Sequence, residues 1–484
     1  MCNKSINKLD NIAIVWFRND LRLHDNEGLN EALLKAKKII PVYVFDKKVF
    51  EGKTSFGFEK TGKFRTKFII ESVHDLRENL RKKGGDLVIR IGDPVEEIFS
   101  LAKELKTSWV YCNRERTAEE IKVQDDLEKK LWSVGQELRF CRGKMLYYTA
   151  DLPFPISQVP DVFTTFRKEV ENIVPIREPL PEPTSVPFPD EYLNRGELPT
   201  LKTFFKDDVD TSQHIENQNF IGGETEGIKQ LDKYFWATNN VQKYKETRNE
   251  LLGWDFSTKF SSWLSVGCIS PKLVMQYKMK YESTVKKNES TYWVYFELLW
   301  RDFFRLMGKK YENKIFHFDG IRQKDPGGSL DMDLFQLWAT GNTGVPFIDA
   351  NMRQLNATGF MSNRGRQNVA SFLVKDLKLN WIMGAEYFES MLIDYDPCSN
   401  YGNWNYVAGI GSDPREDRYF NILTQAKKYD ANGDFVKYWI KELKNVPNSY
   451  IHTPDQMSED DQDRYGVVIG KDYPASIFSF EKAY

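Results

Sequence analysis

The chain has 484 residues, with 68 Lys and Arg against 70 Asp and Glu and a formal net charge of −2. At about 150 residues per domain this length predicts two or three domains with an ample core, and excludes a stapled miniprotein. The balanced charge excludes steering of a polyanion by the molecule as a whole, so a nucleic-acid partner has to meet a local basic face.

From Ile12 to Gly143 short β-rich runs alternate with longer amphipathic ones. Strands are predicted at Ile12–Phe17, Ile39–Phe45, Asp86–Ile91, Ser108–Cys112 and Glu137–Cys141, and helices at Asn26–Lys37, Phe64–Lys83, Pro94–Leu105 and Ala118–Val134. This order calls for an α/β domain over residues 1–145, a doubly wound parallel sheet with helices on both faces. The first strand runs into Arg18-Asn19-Asp20-Leu21-Arg22, where a dinucleotide fold places G-x-G-x-x-G. Residues 146–215 are rich in proline and read as an interdomain linker, ordered or partly mobile. Residues 216–430 follow the helical period and predict an all-α domain, and residues 431–484 read as a polar tail. Aromatic residues make up 14% of the chain, which suits a protein built around planar rings, core packing being the plainer reading. The five dispersed cysteines form no C-x-x-C pair, so neither a disulfide framework nor a metal site is expected. Met1–Asp10 is too polar for a signal peptide and no run is apolar enough for a membrane span, so a soluble, cytoplasmic protein is expected, an organelle being the alternative.

Three segments carry chemistry. In Thr258-Lys259-Phe260-Ser261-Ser262, hydroxyls and free amides gather at a helix start beside a lysine, as for binding a phosphate, although an ordinary N-cap cluster has the same composition. In Tyr292–Arg305, Glu297, Trp300 and Arg301 share one helical face, which suits a flat hydrogen-bonding ligand or, equally, a core helix in which Glu297 pairs with Arg301. The densest segment holds Gly344-Val345-Pro346-Phe347-Ile348-Asp349-Ala350, Ser362-Asn363-Arg364-Gly365-Arg366-Gln367, Asp394-Tyr395-Asp396-Pro397 and Ser399-Asn400-Tyr401-Gly402-Asn403-Trp404.

Together with Trp16–Arg22, this last segment resembles the cryptochrome/photolyase family, and Gly409–Asn421 resembles its DASH branch. The resemblance covers residues 11–430 and implies FAD buried in the helical domain. Tyr244 and Thr258, Lys259, Phe260, Ser261 and Ser262 match the pyrophosphate contacts, Arg366 and Asp394 the ion pair beside the isoalloxazine, and Asp394 and Asp396 the ring and ribose contacts. Asn400 matches the residue facing flavin N5, where a neutral amide can accept the N–H of the reduced ring; a turn residue is the plainer alternative. Glu297, Trp300, Asn363 and Gln367 match the lesion pocket. Family members that repair (6-4) photoproducts carry histidines at the last two positions, and none of the five histidines here lies in that segment.

Trp404 and Trp381 match the proximal and middle members of the family's tryptophan wire; the distal position aligns with about Gly328, so Trp338 or a nearby tyrosine would have to end the chain. Glu115 matches an antenna contact, which implies a folate, 5,10-methenyltetrahydrofolate, between the domains; helix capping explains that residue as well. Arg353, Arg364, Arg366, Lys375, Arg415, Arg418, Lys427 and Lys428 bias the third segment toward DNA phosphates. The resemblance therefore implies a monomeric, light-driven enzyme that splits cyclobutane pyrimidine dimers, preferably in single-stranded DNA. A signalling blue-light receptor with the same flavin is the alternative, and it would carry a long C-terminal effector extension. An ordinary electron-transfer flavoprotein is disfavoured by the missing glycine-rich turn.

Overall fold

The computed structural model describes residues 11–206, 211, 219–415 and 418–479. Met1–Asp10, the boundary at Glu216, and Glu416 and Asp417 of the DASH-like segment lie outside the described residues. Five parallel strands, β1 (Ile12–Phe17), β2 (Lys38–Asp46), β3 (Val88–Gly92), β4 (Trp109–Asn113) and β5 (Glu137–Cys141), pair in the order β3-β2-β1-β4-β5. The crossovers are α1 (Glu27–Lys35), α2 (Lys63–Lys82), α3 (Pro94–Leu105) and α4 (Ala118–Trp132). Every residue of β1 is buried; Ala13, Val15 and Phe17 join one apolar cluster while Ile12, Ile14 and Trp16 join another. That alternation is what a sheet covered on both faces requires.

At the end of β1, where a nucleotide turn would lie, the buried Arg22 guanidinium donates to the carbonyls of Gly267 (2.8 Å), Gly143 (2.7 Å) and Asp25 (3.0 Å). The loop thus binds the helical domain to the sheet rather than cradling a phosphate. The proline-rich stretch is an ordered strap. It contributes α5 (Phe163–Val170), whose Phe163, Phe166 and Val170 enter the core, and its carbonyls at Pro187 and Arg195 accept from Ile39 and Ile89 of the sheet. Prolines remove donors but leave acceptors, which suits a strand-like segment laid against free sheet N–H groups.

The helical domain is built around α6 (Glu289–Tyr311), α7 (Pro346–Thr358), α8 (Asn363–Ser371), α9 (Trp381–Met391) and α10 (Pro397–Ala408). The chain beyond Asp430, expected as a polar tail, continues this core. It forms α11 (Asp434–Trp439) and α12 (Glu459–Tyr465), and it buries Phe435, Val436, Ile440, Leu443, Ile451 and Tyr473 against the same cluster as Trp338 and Trp404. The apolar residues there are spaced by turns and short helices rather than by one period, so periodicity alone does not reveal them. Among the described residues no helix is long and apolar enough to cross a membrane, and no cluster of His, Cys, Asp and Glu could hold a metal.

Candidate active site

A cleft with about 710 Å³ of space, its open mouth included, lies between α8, the end of α9 and the start of α10. Asn363, Arg366 and Gln367 share one face of α8 at i, i+3 and i+4, and Asn400 and Trp404 share one face of α10 at i and i+4; both faces line the cleft, joined by Asp394 and Asp396 from the intervening loop. The helix starts are held by their caps. Ser362 accepts from the N–H of Gly365 at 3.1 Å, and Asp396 accepts from the N–H of Ser399 at 2.9 Å.

Several polar groups in the wall are held by neighbours. Arg366 Nη2 donates to both oxygens of Asp394, at 2.9 and 2.8 Å, and its Nε donates to the Met361 carbonyl at 2.9 Å. Asn400 Nδ2 donates to the Ala385 carbonyl at 2.9 Å, which leaves Oδ1 as the acceptor available to the cleft. Gln367 Oε1 is shut off from solvent and has no hydrogen-bond partner among the described residues. Burial alone would push the Asp396 carboxyl up, but Arg305, Arg301 and Lys144 pull it down to about 2, so it is ionised.

The 258–262 segment is linked to this wall through side chains. Lys259 has a left-handed backbone (φ 57°), and its ammonium lies 3.3 Å from the Phe256 ring centre and 4.7 Å from that of Phe360. Phe360 in turn sits 5.6 Å from the Arg366 guanidinium. At the start of the short Ser261–Ser265 helix the Ser262 hydroxyl is buried without a partner among the described residues. A cofactor phosphate there would satisfy that hydroxyl beside a lysine, so the residues present fit the diphosphate of FAD.

Glu297 and Trp300 are not among the residues that line the cleft. Glu297 pairs with Arg248 at 2.6 Å; the alternative partner, Arg301, donates instead to the carbonyls of Lys144 and Leu264. Burial raises the Glu297 carboxyl above its ordinary range, with Arg248 opposing. Arg248 stands 6.0 Å from the ring of the buried Tyr244, which joins Tyr244 to Glu297 through this arginine. Trp300 stacks on Phe163 at 3.7 Å and meets Tyr406, a wall residue, edge-on at 6.1 Å.

Of the two tryptophans, Trp404 is in the cleft wall and Trp381 is not. Trp404 meets Trp338 at 6.4 Å, whereas Trp381 meets Tyr401 at 6.1 Å. Gly328 adopts φ +116°, and a Cβ there would lie 2.8 Å from the Leu379 carbonyl. Its neighbour Ser329 bridges to Leu379 just ahead of α9, so this loop is held against backbone and has no room for a tryptophan.

Glu115 is 1% exposed, and both its oxygens accept from Lys144 Nζ, at 2.7 and 2.6 Å. It is therefore an internal partner in the domain seam. Beside it, a second, narrow pocket, with about 370 Å³ of space when its open mouth is included, is lined by Arg114, Arg116, Arg142, Lys144, Tyr147 and Arg305, among others. Burial, followed by neighbouring cations, lowers Arg116 to about 10 and nearby Lys309 to about 8. The expected basic face is thinner than its composition. Arg353 is committed to Glu442 at 2.8 Å, Arg366 to Asp394 and Arg418 to Asp413 at 2.7 Å, while Arg415, Lys427 and Lys428 are exposed. Sequence reasoning missed Tyr406, Tyr395 and Arg305; only Arg305 left a signal, as the i+8 member of the face that carries Glu297 and Arg301.

Two family descriptions match this architecture: "DNA photolyase" over residues 13–184 and "FAD binding domain of DNA photolyase" over residues 293–484. The cryptochrome DASH of Gloeobacter violaceus is 48% identical over 465 residues, 96% of this chain and 92% of its own. The chain belongs to the photolyase/cryptochrome family, in its cryptochrome DASH group. The crystal structure of the Synechocystis sp. PCC6803 cryptochrome superposes with a TM-score of 0.93 at 46% identity, covering 98% of this chain and 97% of that one. A bacterial class III photolyase from Agrobacterium tumefaciens superposes with a TM-score of 0.87 at 29% identity, covering 100% and 97% of the two chains. The α/β fold with a helical FAD-binding domain is thus that of the family, and the second family match runs through the segment expected as a tail.

Proposed function

We propose that this protein is a light-driven enzyme that splits cyclobutane pyrimidine dimers, preferentially in single-stranded DNA, as a monomer with FAD in the 710 Å³ cleft. The observation that carries this reading is the convergence of Asn363, Arg366, Gln367, Asp394, Asp396 and Asn400 on that one cleft. When bound there, FAD supplies the electron that light sends to the dimer and takes it back once the ring has opened. Tyr244 and the Thr258–Ser262 segment hold its diphosphate side, and Arg366, locked by Asp394, fixes the ring edge. Asn400 Oδ1 accepts a ring N–H. Glu297, kept protonated more readily by burial, offers a hydrogen bond to a pyrimidine edge, and Trp300 with Tyr406 presents rings against flipped bases. Asn363 and Gln367 place amides where proton transfer would need a titrating group, which suits dimer splitting and not (6-4) repair.

Exposed Arg415, Lys427 and Lys428 dock the phosphates. With so few free cations, strands that are already unpaired save the cost of flipping. The cationic cavity beside Glu115 is the proposed seat of a folate antenna, its carboxylates meeting Arg114 and Arg116. The test illuminates flavin-loaded, reduced protein with thymine-dimer oligonucleotides, single-stranded and duplex, while absorption spectra record flavin and any near-ultraviolet folate band. Repair that is faster on single strands is expected. No repair of either substrate at full flavin content would overturn the reading in favour of a signalling receptor.

A further inference from the structure

Behind the cleft wall lies a chain of buried charges that binding a flat cofactor does not by itself require. Arg305 on α6 donates Nη1 to Asp396 Oδ2 at 2.5 Å and holds Nη2 at 3.6 Å from Glu115 Oε2. Glu115, just after β4, pairs with Lys144, just after β5, at 2.6 Å. None of the four residues is more than 7% exposed. The chain Asp396–Arg305–Glu115–Lys144 therefore crosses from the cleft to the sheet side of the domain seam. Packed apolar residues of similar volume would hold a seam at least as well as two buried ion pairs, so stability does not account for this arrangement.

We propose that Arg305 is a positioning residue for the flavin site, holding Asp396 in the cleft wall and carrying the charge of the Glu115–Lys144 pair across the domain seam to the cofactor. The inference rests on the reading that FAD occupies the cleft. Its guanidinium serves two carboxylates, and the planar fork cannot follow both if either moves. While Lys144 satisfies Glu115, Arg305 stays on Asp396; without Lys144, Glu115 draws the guanidinium toward the seam. An electron added to a ring beside Asp396 is stabilised by cations and opposed by anions, strongly so in a site from which water is excluded. Each member of the chain then sets the reduction potential with a predictable sign.

The experiment compares flavin-loaded parent, Arg305→Gln, Arg305→Lys, Lys144→Met and Glu115→Gln, measuring the FAD-to-protein ratio, the flavin midpoint potential by spectroelectrochemical titration, and thermal unfolding. Arg305→Gln and Lys144→Met each remove a cation and lower the potential, Arg305→Gln more because it touches Asp396. Glu115→Gln removes an anion and raises it, and Arg305→Lys stays nearest the parent. FAD retention falls on the order of tenfold in Arg305→Gln, about the loss of one charge-assisted bond. Potentials that do not move, or that all move in one direction, overturn the inference. If Arg305→Gln does not fold, the opposite shifts of Lys144→Met and Glu115→Gln decide. A parent that takes up no FAD removes the flavin reading itself, and the inference falls with it, a failure distinguished by the ratio before any potential is read.

Discussion

Two carboxyl-bearing or amide positions show how a neighbour decides the chemistry of a residue. Glu297 stands between two opposing influences: burial raises its carboxyl above the ordinary range, and Arg248 at 2.6 Å draws it back. Glu297→Gln preserves the shape and still accepts from Arg248 but cannot supply the acidic proton, so repair per absorbed photon should fall about tenfold, the worth of one hydrogen bond. Flavin content should not change; equal repair yields at matched flavin would remove Glu297 from the lesion contact. At Asn400 the amide N–H₂ faces the Ala385 carbonyl at 2.9 Å. In Asn400→Asp a carboxylate would face that oxygen in a buried site, so its pKa is raised. Below that value the neutral acid donates to Ala385 as the amide does and photoreduction spectra should resemble the parent; above it the negative charge should change the redox form that accumulates under blue light. Spectra identical to the parent across pH 5–8 would leave Asn400 as a helix residue that only ties α10 to the Ala385 carbonyl.

At the scale of elements, the tryptophans are placed by how α9 and α10 pack. Gly384 on α9 has no side chain, and a Cβ there would meet the Trp404 ring at 2.2 Å, so this glycine is what lets the indole lie across the helix. Trp404 then reaches Trp338, which is fully buried, and Trp338 meets the partly exposed Tyr387 at 6.0 Å. Trp381 instead meets Tyr401, edge-on at 6.1 Å. If electrons enter through Trp404, Trp404→Phe should slow photoreduction by an external reductant most. Trp381→Phe and Trp338→Phe should divide the remaining loss according to which branch carries current, and repair by chemically reduced protein should persist in all three. Flavin reduction rates under fixed blue light measure this, and three rates equal to the parent would make these rings packing residues. Placing a tryptophan at Gly328 should not restore a distal donor, because the backbone conformation and the Leu379 carbonyl both forbid the side chain.

For the whole molecule, the segment beyond Asp430 is structural. Asp349 of α7 is completely buried and accepts from the Thr343 and Gly344 N–H groups, the Thr343 hydroxyl and, at 2.5 Å, the Tyr473 hydroxyl. Tyr473 thereby pins the final segment onto the helix that precedes the cleft. Tyr473→Phe removes one donor from a buried carboxylate and should cost about 1–3 kcal/mol in denaturant unfolding, with no change in the flavin spectrum of the folded protein. A variant as stable as the parent would show that the segment is held by its apolar contacts alone.

The sequence by itself determined the parallel sheet, because β1 to β5 carry uninterrupted β-rich runs between amphipathic helices, and it determined the cleft faces, because Asn363, Arg366 and Gln367, and Asn400 and Trp404, are spaced by helical turns. Such local periods are written along the chain. Which charge meets which was decided only in three dimensions: Glu297 with Arg248 and not Arg301, Glu115 with Lys144 and Arg305, Asp349 with Tyr473. Those pairs join residues tens to nearly two hundred positions apart, and the energy that selects them is desolvation, which has no value until the surrounding core has closed. The same holds for the strap and the final segment, whose scattered apolar residues have no period to read and become core only against surfaces formed by the rest of the fold.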